Sequence, residues 1–433
     1  MIMAMIRPET EMKDSGIEWI GDIPANWGKS KLKYLGVYIN GYAFKPSDWS
    51  ARGRQIIRIQ DLTGSNSGEP NYFDGTLDEK YRVVNGDILV SWAATLDAFV
   101  WTKEDGWLNQ HIFKAVPNEK IVKGYFLWLL KVAMDNMNND DKHGIVMQHV
   151  TIGLFNNYVV PLAPYTEQQA IADYLDETCS KIDEIIAEAK ASIAEYKELK
   201  QSVIFEAVTK GLDKNVEMKD SGVEWIGEIP VDWNIAKINR VAWTTSGATP
   251  LRSKETEYYD NAVIRWVRTL DLNNGHVTDS SEKITETALK NSSCSIMPVK
   301  TVCVAMYGGS GTIGKSGILE VECATNQAIC SIVSDKKVLN PDYLHYVIMA
   351  VRKYWMKYAV GTRKDPNINQ QIIAQMRIPI PQLSKQDIIV NHLDKVTDKC
   401  DSLIAEKESL INDLEAYKKS LIYEVVTGKR RVV

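Results

Sequence analysis

Long apolar runs are missing from this chain. The opening MIMAMIRPE is too short for a secretory signal or a membrane anchor, and the stretch at 125–130 is broken by Lys131 far short of a bilayer span. Paired cysteines are missing as well. Cys179, Cys294, Cys303, Cys323, Cys330 and Cys400 form no CxxC pair and have no histidine at ligand spacing, so reduced, scattered thiols are expected rather than a metal or disulfide framework. The six histidines fall into no HExxH-like pattern, and no metal is proposed. With 45% hydrophobic and 25% charged residues, these absences leave a soluble, cytoplasmic globular protein without a membrane segment. At 433 residues it is too long for one ordinary core, so two or more domains are expected.

A net charge of −5 looks wrong for a nucleic-acid binder until it is divided along the chain. Residues 30–160 hold 14 basic and 14 acidic side chains, residues 236–378 hold 18 and 12, and residues 161–217 hold 6 and 12. The distribution, not the total, governs a phosphate-binding surface. It permits DNA binding without proving it.

What the chain does have is a repeat. MKDSGIEWIGDIPANW (12–27) returns as MKDSGVEWIGEIPVDW (218–233) with 12 of 16 positions identical. PLAPYTEQQAIADYLDE (161–177) parallels PIPQLSKQDIIVNHLDK (379–395), and KQSVIFEAVTKG (200–211) parallels KKSLIYEVVTGK (418–429), both at an offset of 218. Each half therefore reads as a tryptophan-bearing peptide, a variable region, a proline-bearing exit and a long helix.

Apolar residues step by three or four through both helices. The first stripe runs Ile171, Leu175, Thr178, Ile182, Ile185, Ala189, Ile193, Tyr196, Leu199 and Val203, and the second runs from Ile389 to Val425 with Lys407 interrupting it. About five heptads without Gly or Pro predict a coiled-coil seam. Thr166 and Ser384 are expected N-caps, with Gly211 and Gly428 as stops. A helix over about 166–209 spans roughly 65 Å at ~1.5 Å per residue. Two such stripes in one chain most simply pack on each other. Between the anchors and the helices, short β-branched runs alternate with turn residues: IIRIQDL (56–62) matches WVRTLDL (266–272), and LNQHI (108–112) matches TNQAI (325–329). Each variable region is expected to be a mixed α/β domain with one fold and different loops.

The GxEWIGxIPxxW peptides, SGTIGKS (310–316) and the proline-bearing exits into long helices resemble the specificity (S) subunit of type I restriction-modification systems, the HsdS family. The likeness covers nearly the whole chain. It departs at the second exit, which has Lys385-Gln386 for Glu167-Gln168, and in the first half, which has SWAATLDAF (91–99) in place of the SGTIG stretch. The resemblance implies an α+β protein with two target recognition domains joined by two long antiparallel coiled-coil helices in an internal pseudo-two-fold repeat. On that plan residues 1–160 are the first recognition domain with anchor peptide 12–27, and 161–217 the central spacer helix. Residues 218–378 are the second recognition domain with anchor peptide 218–233, and 379–433 the C-terminal spacer helix. It further implies that each domain reads one half of a split double-stranded DNA site. The chemistry then belongs to two methyltransferase (M) subunits and to restriction (R) subunits. S-adenosylmethionine, ATP and Mg belong to those partners, and this subunit carries no cofactor. Spacer length would set the gap between half-sites.

Consistent with a non-catalytic subunit, no NPPY-like tetrapeptide or glycine-rich cofactor loop with a downstream acidic partner is found. GSGTIGKS (309–316) fits the P-loop expression, but GILEV follows where a P-loop needs a helix. A glycine-rich loop approaching DNA, with Lys315 on phosphate, is the preferred reading, ahead of nucleotide binding. Shared positions cannot explain how two domains read different sequences, so Asn109/Asn326, Gln110/Gln327, Arg58/Arg268 and Asp61/Asp271 are assigned structural or general phosphate roles. Candidate DNA contacts are therefore Tyr42, Lys45, Trp92, His143 and Gln148 in the first region. In the second they are Arg252, Tyr307, Ser310, Thr312, Lys315, Arg363, Lys364 and Asn367. The competing class is a coiled-coil scaffold without DNA contact.

Overall fold

The computed structural model describes residues 5–65, 68–139, 150–308, 311–361 and 366–432. The chain divides into two compact units: residues 1–189 with 409–433, and residues 190–408. Each unit takes its own portion of both long helices.

In the first unit, β1 (Gly28–Lys31) and β2 (Gly36–Asn40) lead into β3 (Arg54–Ile57), β4 (Tyr72–Phe73), β5 (Arg82–Val83), β6 (Ile88–Ser91), β7 (Asp97–Val100), β8 (Gly106–Leu108) and β9 (Ile112–Pro117). Helix α1 (Lys123–Asn139), β10 (Val159–Leu162) and helix α2 (Tyr165–Lys210) follow. One antiparallel sheet has the order β7-β6-β9-β2; a second, β4-β3-β8-β5, has a parallel pair at its centre. Ile57, Leu89, Leu108 and Ile112 fill the space between them, all within 1% of complete burial. β6 is buried along its whole length and β9 at Ile112, Phe113 and Ala115, and apart from Ser91 these buried positions are β-branched, aromatic or aliphatic.

The second unit repeats this plan. Its strands are β11 (Asn234–Lys237), β12 (Ala242–Ser246), β13 (Ile264–Val267), β14 (Gly275–Val277), β15 (Lys283–Ile284), β16 (Ile296–Met297), β17 (Val302–Ala305), β18 (Ser316–Leu319), β19 (Cys323–Thr325) and β20 (Ile329–Ser334). Helix α3 (Pro341–Val351), β21 (Arg377–Ile380) and helix α4 (Leu383–Val426) complete it. The sheet orders are β14-β18-β17-β20-β12 and β15-β13-β19-β16, again with β13 and β19 parallel at the centre. Strand for strand this is the first unit's arrangement, with β14 added at one edge.

The long helices begin at Tyr165 and Leu383, one residue before the expected caps, because the carbonyls of Pro164 and Gln382 already accept from the backbones of Glu167 and Lys385 (2.8 and 2.9 Å). They stop as expected, at Gly211 and Gly428 with φ of +78° and +76°, a region costly for any other residue. The buried stripe differs in detail from the expected one. Ile171, Leu175, Cys179, Ile182, Ile186, Ala189 and Ile193 are buried, whereas Ile185 is 45% exposed. The steps average nearer 3.67 than 3.5, so a strict heptad drifts off the buried face and Cys179 and Ile186 replace Thr178 and Ile185. In α4 the equivalent Ile389, Leu393, Thr397, Cys400, Ile404 and Ile411 are buried. Within each unit the helix portions run antiparallel. In the first, Lys418 bonds Asp183 (2.6 Å) while the chain beyond α4 reaches the start of α2 through Arg7; in the second, Lys200 bonds Asp401 (2.6 Å) while Tyr343 bridges the carbonyls of Val208 and Pro379.

The duplicated peptides join these parts. Residues Met12–Asp14 and Asp22–Pro24 form one small hairpin, and Met218–Asp220 with Glu228–Pro230 the other. Trp19 Nε1 donates to the Val159 carbonyl (3.2 Å) and Trp225 Nε1 to that of Arg377 (3.1 Å), tying each peptide to its exit strand. Pro24 and Trp27 cover Gly428, where a Cβ would lie 2.5 Å from Pro24, and Pro230 and Trp233 cover Gly211. The first peptide thus holds the end of α4, and the second holds the end of α2. Met5–Ile6 pairs antiparallel with Arg430–Arg431 beside it.

The exit motifs also match in function. Gln168 and Gln386 are buried; their Oε1 atoms accept from the backbones of Val122 and Asn340 (2.9 and 2.8 Å), and their Nε2 atoms donate to the carbonyls of Ala163 and Pro381 (3.0 and 2.8 Å). A buried amide with both ends bonded welds helix to domain. The departure at Glu167/Lys385 is compensated. Glu167 accepts from Asn26 and Trp27, whereas Lys385 pairs with Asp232, the counterpart of Asn26, at 2.6 Å.

Candidate nucleic-acid interface

In the second unit the ends of four strands converge. Ala305 at the end of β17 lies opposite Ile329 at the start of β20, Ser246 at the end of β12 opposite Cys330, and Ser316 at the start of β18 opposite Val304. The segments leaving that edge therefore share one rim: 247–254, 306–308, 311–315 and 326–328. Ile368 joins it through a bond from its backbone to the Met306 carbonyl (3.1 Å). Tyr307 is 38% exposed there, Asn367 is exposed, and Thr312 and Lys315 are half-buried. Thr249 Oγ1 meets Gln327 Oε1 across the same rim.

The glycine-rich loop is pinned from behind. Gly314 (φ +71°) sits where a Cβ would fall 2.2 Å from Trp355, and Arg352 Nη2 donates to the Gly311 carbonyl (3.0 Å). Ser316 then enters strand β18, so no helix N-terminus follows Lys315 and the phosphate cradle of a P-loop is not formed. Close packing against Thr312 and Trp355, with positive φ, explains Gly308 and Gly314 instead.

Arg252 is charge-compensated. Its guanidinium lies 4.2 Å from the Tyr259 ring centroid and bonds Glu282, which also pairs with Arg268 at 2.7 Å. The Arg252 hydrogen bond, aided by both positive charges against the cost of partial burial, holds the Glu282 carboxyl below its ordinary range.

The first unit builds its rim at the corresponding strand ends. Tyr42 donates its backbone N–H to the Leu108 carbonyl (2.8 Å) and bridges Asn109; its ring packs edge-on to Phe44 and Tyr81 at 5.0 and 5.7 Å. Lys45 is exposed, with its backbone held by Asp48 at 2.7 Å. Trp92 stacks on Phe113 (5.8 Å) and leans on exposed His111 (5.5 Å). Tyr42, Lys45 and Trp92 thus belong to one rim, as do Tyr307, Thr312, Lys315 and Asn367 with the loop that carries Arg252. His143, Gln148, Ser310, Arg363 and Lys364 lie outside the described residues.

Of the shared positions, the asparagines and aspartates have structural roles. Asn109 and Asn326 accept from the backbones of His111 and Ala328 (3.3 and 3.2 Å), and Asp61 and Asp271 cap the turns after β3 and β13 by accepting from Arg58 and Arg268. Gln110 and Gln327 differ, because each stands at the tip of that turn on the rim. That place is compatible with the structural or general phosphate role assigned to them, and His111, beside the turn-forming Asn in LNQHI, is a rim residue that the sequence did not single out.

Among the described residues no helix is long and apolar enough to cross a membrane, and no three His, Cys, Asp or Glu side chains converge at metal-ligand spacing. The family described as "Type I restriction modification DNA specificity domain" matches residues 24–195 and again 230–413. The chain is 23% identical to the type I restriction enzyme EcoBI specificity subunit of Escherichia coli, over 97% of this chain and 89% of that protein. It is also 23% identical to the MjaIX specificity subunit of Methanocaldococcus jannaschii, covering 100% and 99%. A solved structure described as "Structural basis underlying complex assembly and conformational transition of the type I R-M system" superposes with a TM-score of 0.71 at 13% identity, over 94% of this chain and 99% of that one. Two matched copies of one domain, on two units with one strand order, place the chain in the family of type I restriction-modification DNA specificity proteins.

Proposed function

We propose that the chain is the DNA sequence-recognition subunit of a type I restriction-modification complex, each unit reading one half of a bipartite, asymmetric site. The observation that carries this is the pair of rims: one strand framework, repeated, presents Tyr42, Lys45 and Trp92 in one unit and Tyr307, Thr312, Lys315 and Asn367 in the other. One scaffold with two sets of side chains is what a non-palindromic site requires. The subunit is not itself an enzyme. Two methyltransferase subunits, carrying S-adenosylmethionine, dock on the anchor peptides and helices, and restriction subunits supply ATP- and Mg-dependent cleavage, in the cytoplasm. Binding of duplex DNA by the assembled complex across a salt series tests the reading. Sequence-selective affinity falling linearly with log salt supports it, and indifference to sequence at every salt favours the scaffold.

A further inference from the structure

The second unit holds a polar cavity of about 250 Å³ walled by α3, α4, the C-terminal part of α2, Asn274 and the start of β14. Four carboxylates line it: Asp342, Asp394, Asp398 and Asp401. Asp401 is matched by Lys200 at 2.6 Å and Asp342 by Lys300 at 3.0 Å, whereas Asp394 has only the neutral Tyr346 hydroxyl (2.7 Å). Among the described residues Asp394 has no cationic partner and Asp398 none of either kind, so the cavity keeps about two uncompensated negative charges. His345 also lines it, is 6% exposed, and its Nε2 has no hydrogen-bond partner. A buried polar atom left unpaired is costly, and a hydrogen-bond donor held in the cavity would satisfy it.

The internal repeat sharpens this. At the offset of 218, the first unit has Gly124 for Asp342, Leu127 for His345 and Ser180 for Asp398. There Gly124 lets α1 close on α2, a Cβ reaching within 2.9 Å of Ala172. The first unit keeps Asp176 and Asp183 for Asp394 and Asp401, bonded by Trp128 and Lys418, so the shared framework needs those two acids but neither Asp342, Asp398 nor the histidine.

We propose that this cavity binds an organic cation, an alkylammonium or guanidinium group, that donates hydrogen bonds to Asp394, Asp398 and the His345 ring. The carboxylates do not converge at metal-ligand spacing, so separate N–H donors suit them better than one inner-sphere ion. Burial keeps the imidazole neutral, able to accept such a bond. The cation comes either from a free polyamine or from a lysine or arginine of a docked methyltransferase subunit; the latter source rests on the proposed function.

Calorimetric titration of the full chain with butane-1,4-diamine at constant ionic strength tests the first source. Saturable binding is expected, weakened tenfold or more by Asp398→Asn, a substitution at an exposed position that breaks no internal bond. Asp394→Asn serves as a second variant, with circular dichroism confirming the fold of both. If the diamine does not bind but Asp398→Asn weakens association with the methyltransferase subunit tenfold, the cation is the partner's side chain and the proposal stands. If neither effect appears, the proposal is overturned, while DNA selectivity measured on the same samples reports separately on the proposed function.

Discussion

Replacing Trp225 by alanine should cost far more than replacing its repeat partner Trp19, although the two stand in nearly identical peptides. Trp225 is 1% exposed, with Phe205 and Tyr354 at 6.5 and 6.2 Å, and its indole N–H satisfies the Arg377 carbonyl. Truncating a buried tryptophan removes about 3–5 kcal/mol through lost transfer energy and the cavity left behind. Losing the hydrogen bond adds about 1 kcal/mol. Trp19 is only half-buried, stacked on Tyr158 at 5.5 Å, so about 2 kcal/mol is expected there. For a unit of this size the Trp225→Ala loss lowers the melting temperature by roughly 10 °C. Hydrogen exchange read by mass spectrometry localises the effect, which thermal melting of a two-unit chain alone does not. Faster exchange should appear around residues 203–208, 223–235 and 377–380, while residues 12–27 stay protected. Preference among DNA sequences should be unchanged in the fraction that remains folded. A Trp225→Ala protein of full stability with altered sequence preference would refute the anchor role.

Gly428→Ala should destabilise the first unit by about 2 kcal/mol, because the backbone is left-handed there and the new methyl strikes Pro24. Gly211→Ala, with 3.1 Å to Trp233, should cost less, and thermal melts of the two variants check the order. Lys385→Glu sets a carboxylate against Asp232; the added change Asp232→Asn recreates the first unit's pairing, so a double-mutant cycle should show coupling of about 0.5 kcal/mol. His345 gives a pH dependence. Burial lowers its pKa from the ordinary 6.5 to about 3, so the unfolded chain takes up a proton below pH 6.5 that the folded chain refuses until about pH 3. Its contribution is complete above pH 6.5 and is lost as pH falls, by up to about 1.4 kcal/mol per unit. Melting of the second unit between pH 7 and 5 should show this slope, and His345→Leu, which installs the residue of the first unit, should flatten it.

Much of this was legible because the chain is its own alignment. The repeated peptide, the exits and the stripes marked the helices and the two domains, since the same physical task recurs with the same residues. Single-residue detail was less legible. The heptad reading chose Ile185 over Ile186 because adjacent apolar residues satisfy a 3.5 period equally well, and only packing shows which one turns inward. Asn26/Asp232 looked like a mild change, yet it compensates for Glu167/Lys385 more than 140 residues away, a pairing only the fold brings together. Arg252 was read as a DNA contact, and its bond to Glu282, 30 residues on, is one that no local pattern reveals. Gln110 and Gln327 were assigned structural or general phosphate roles because they are shared, and only the fold shows that each stands in a turn on its rim.

The central claim is that each unit reads its own half of the site. Methylation mapping across a genome in cells carrying the complete system, with Tyr307→Ala or Asn367→Ala in the second unit, tests it most directly. The account predicts that one half of the methylated sequence relaxes while the other half and the gap between them are unchanged. Changes in both halves, or none with DNA affinity intact, would contradict it.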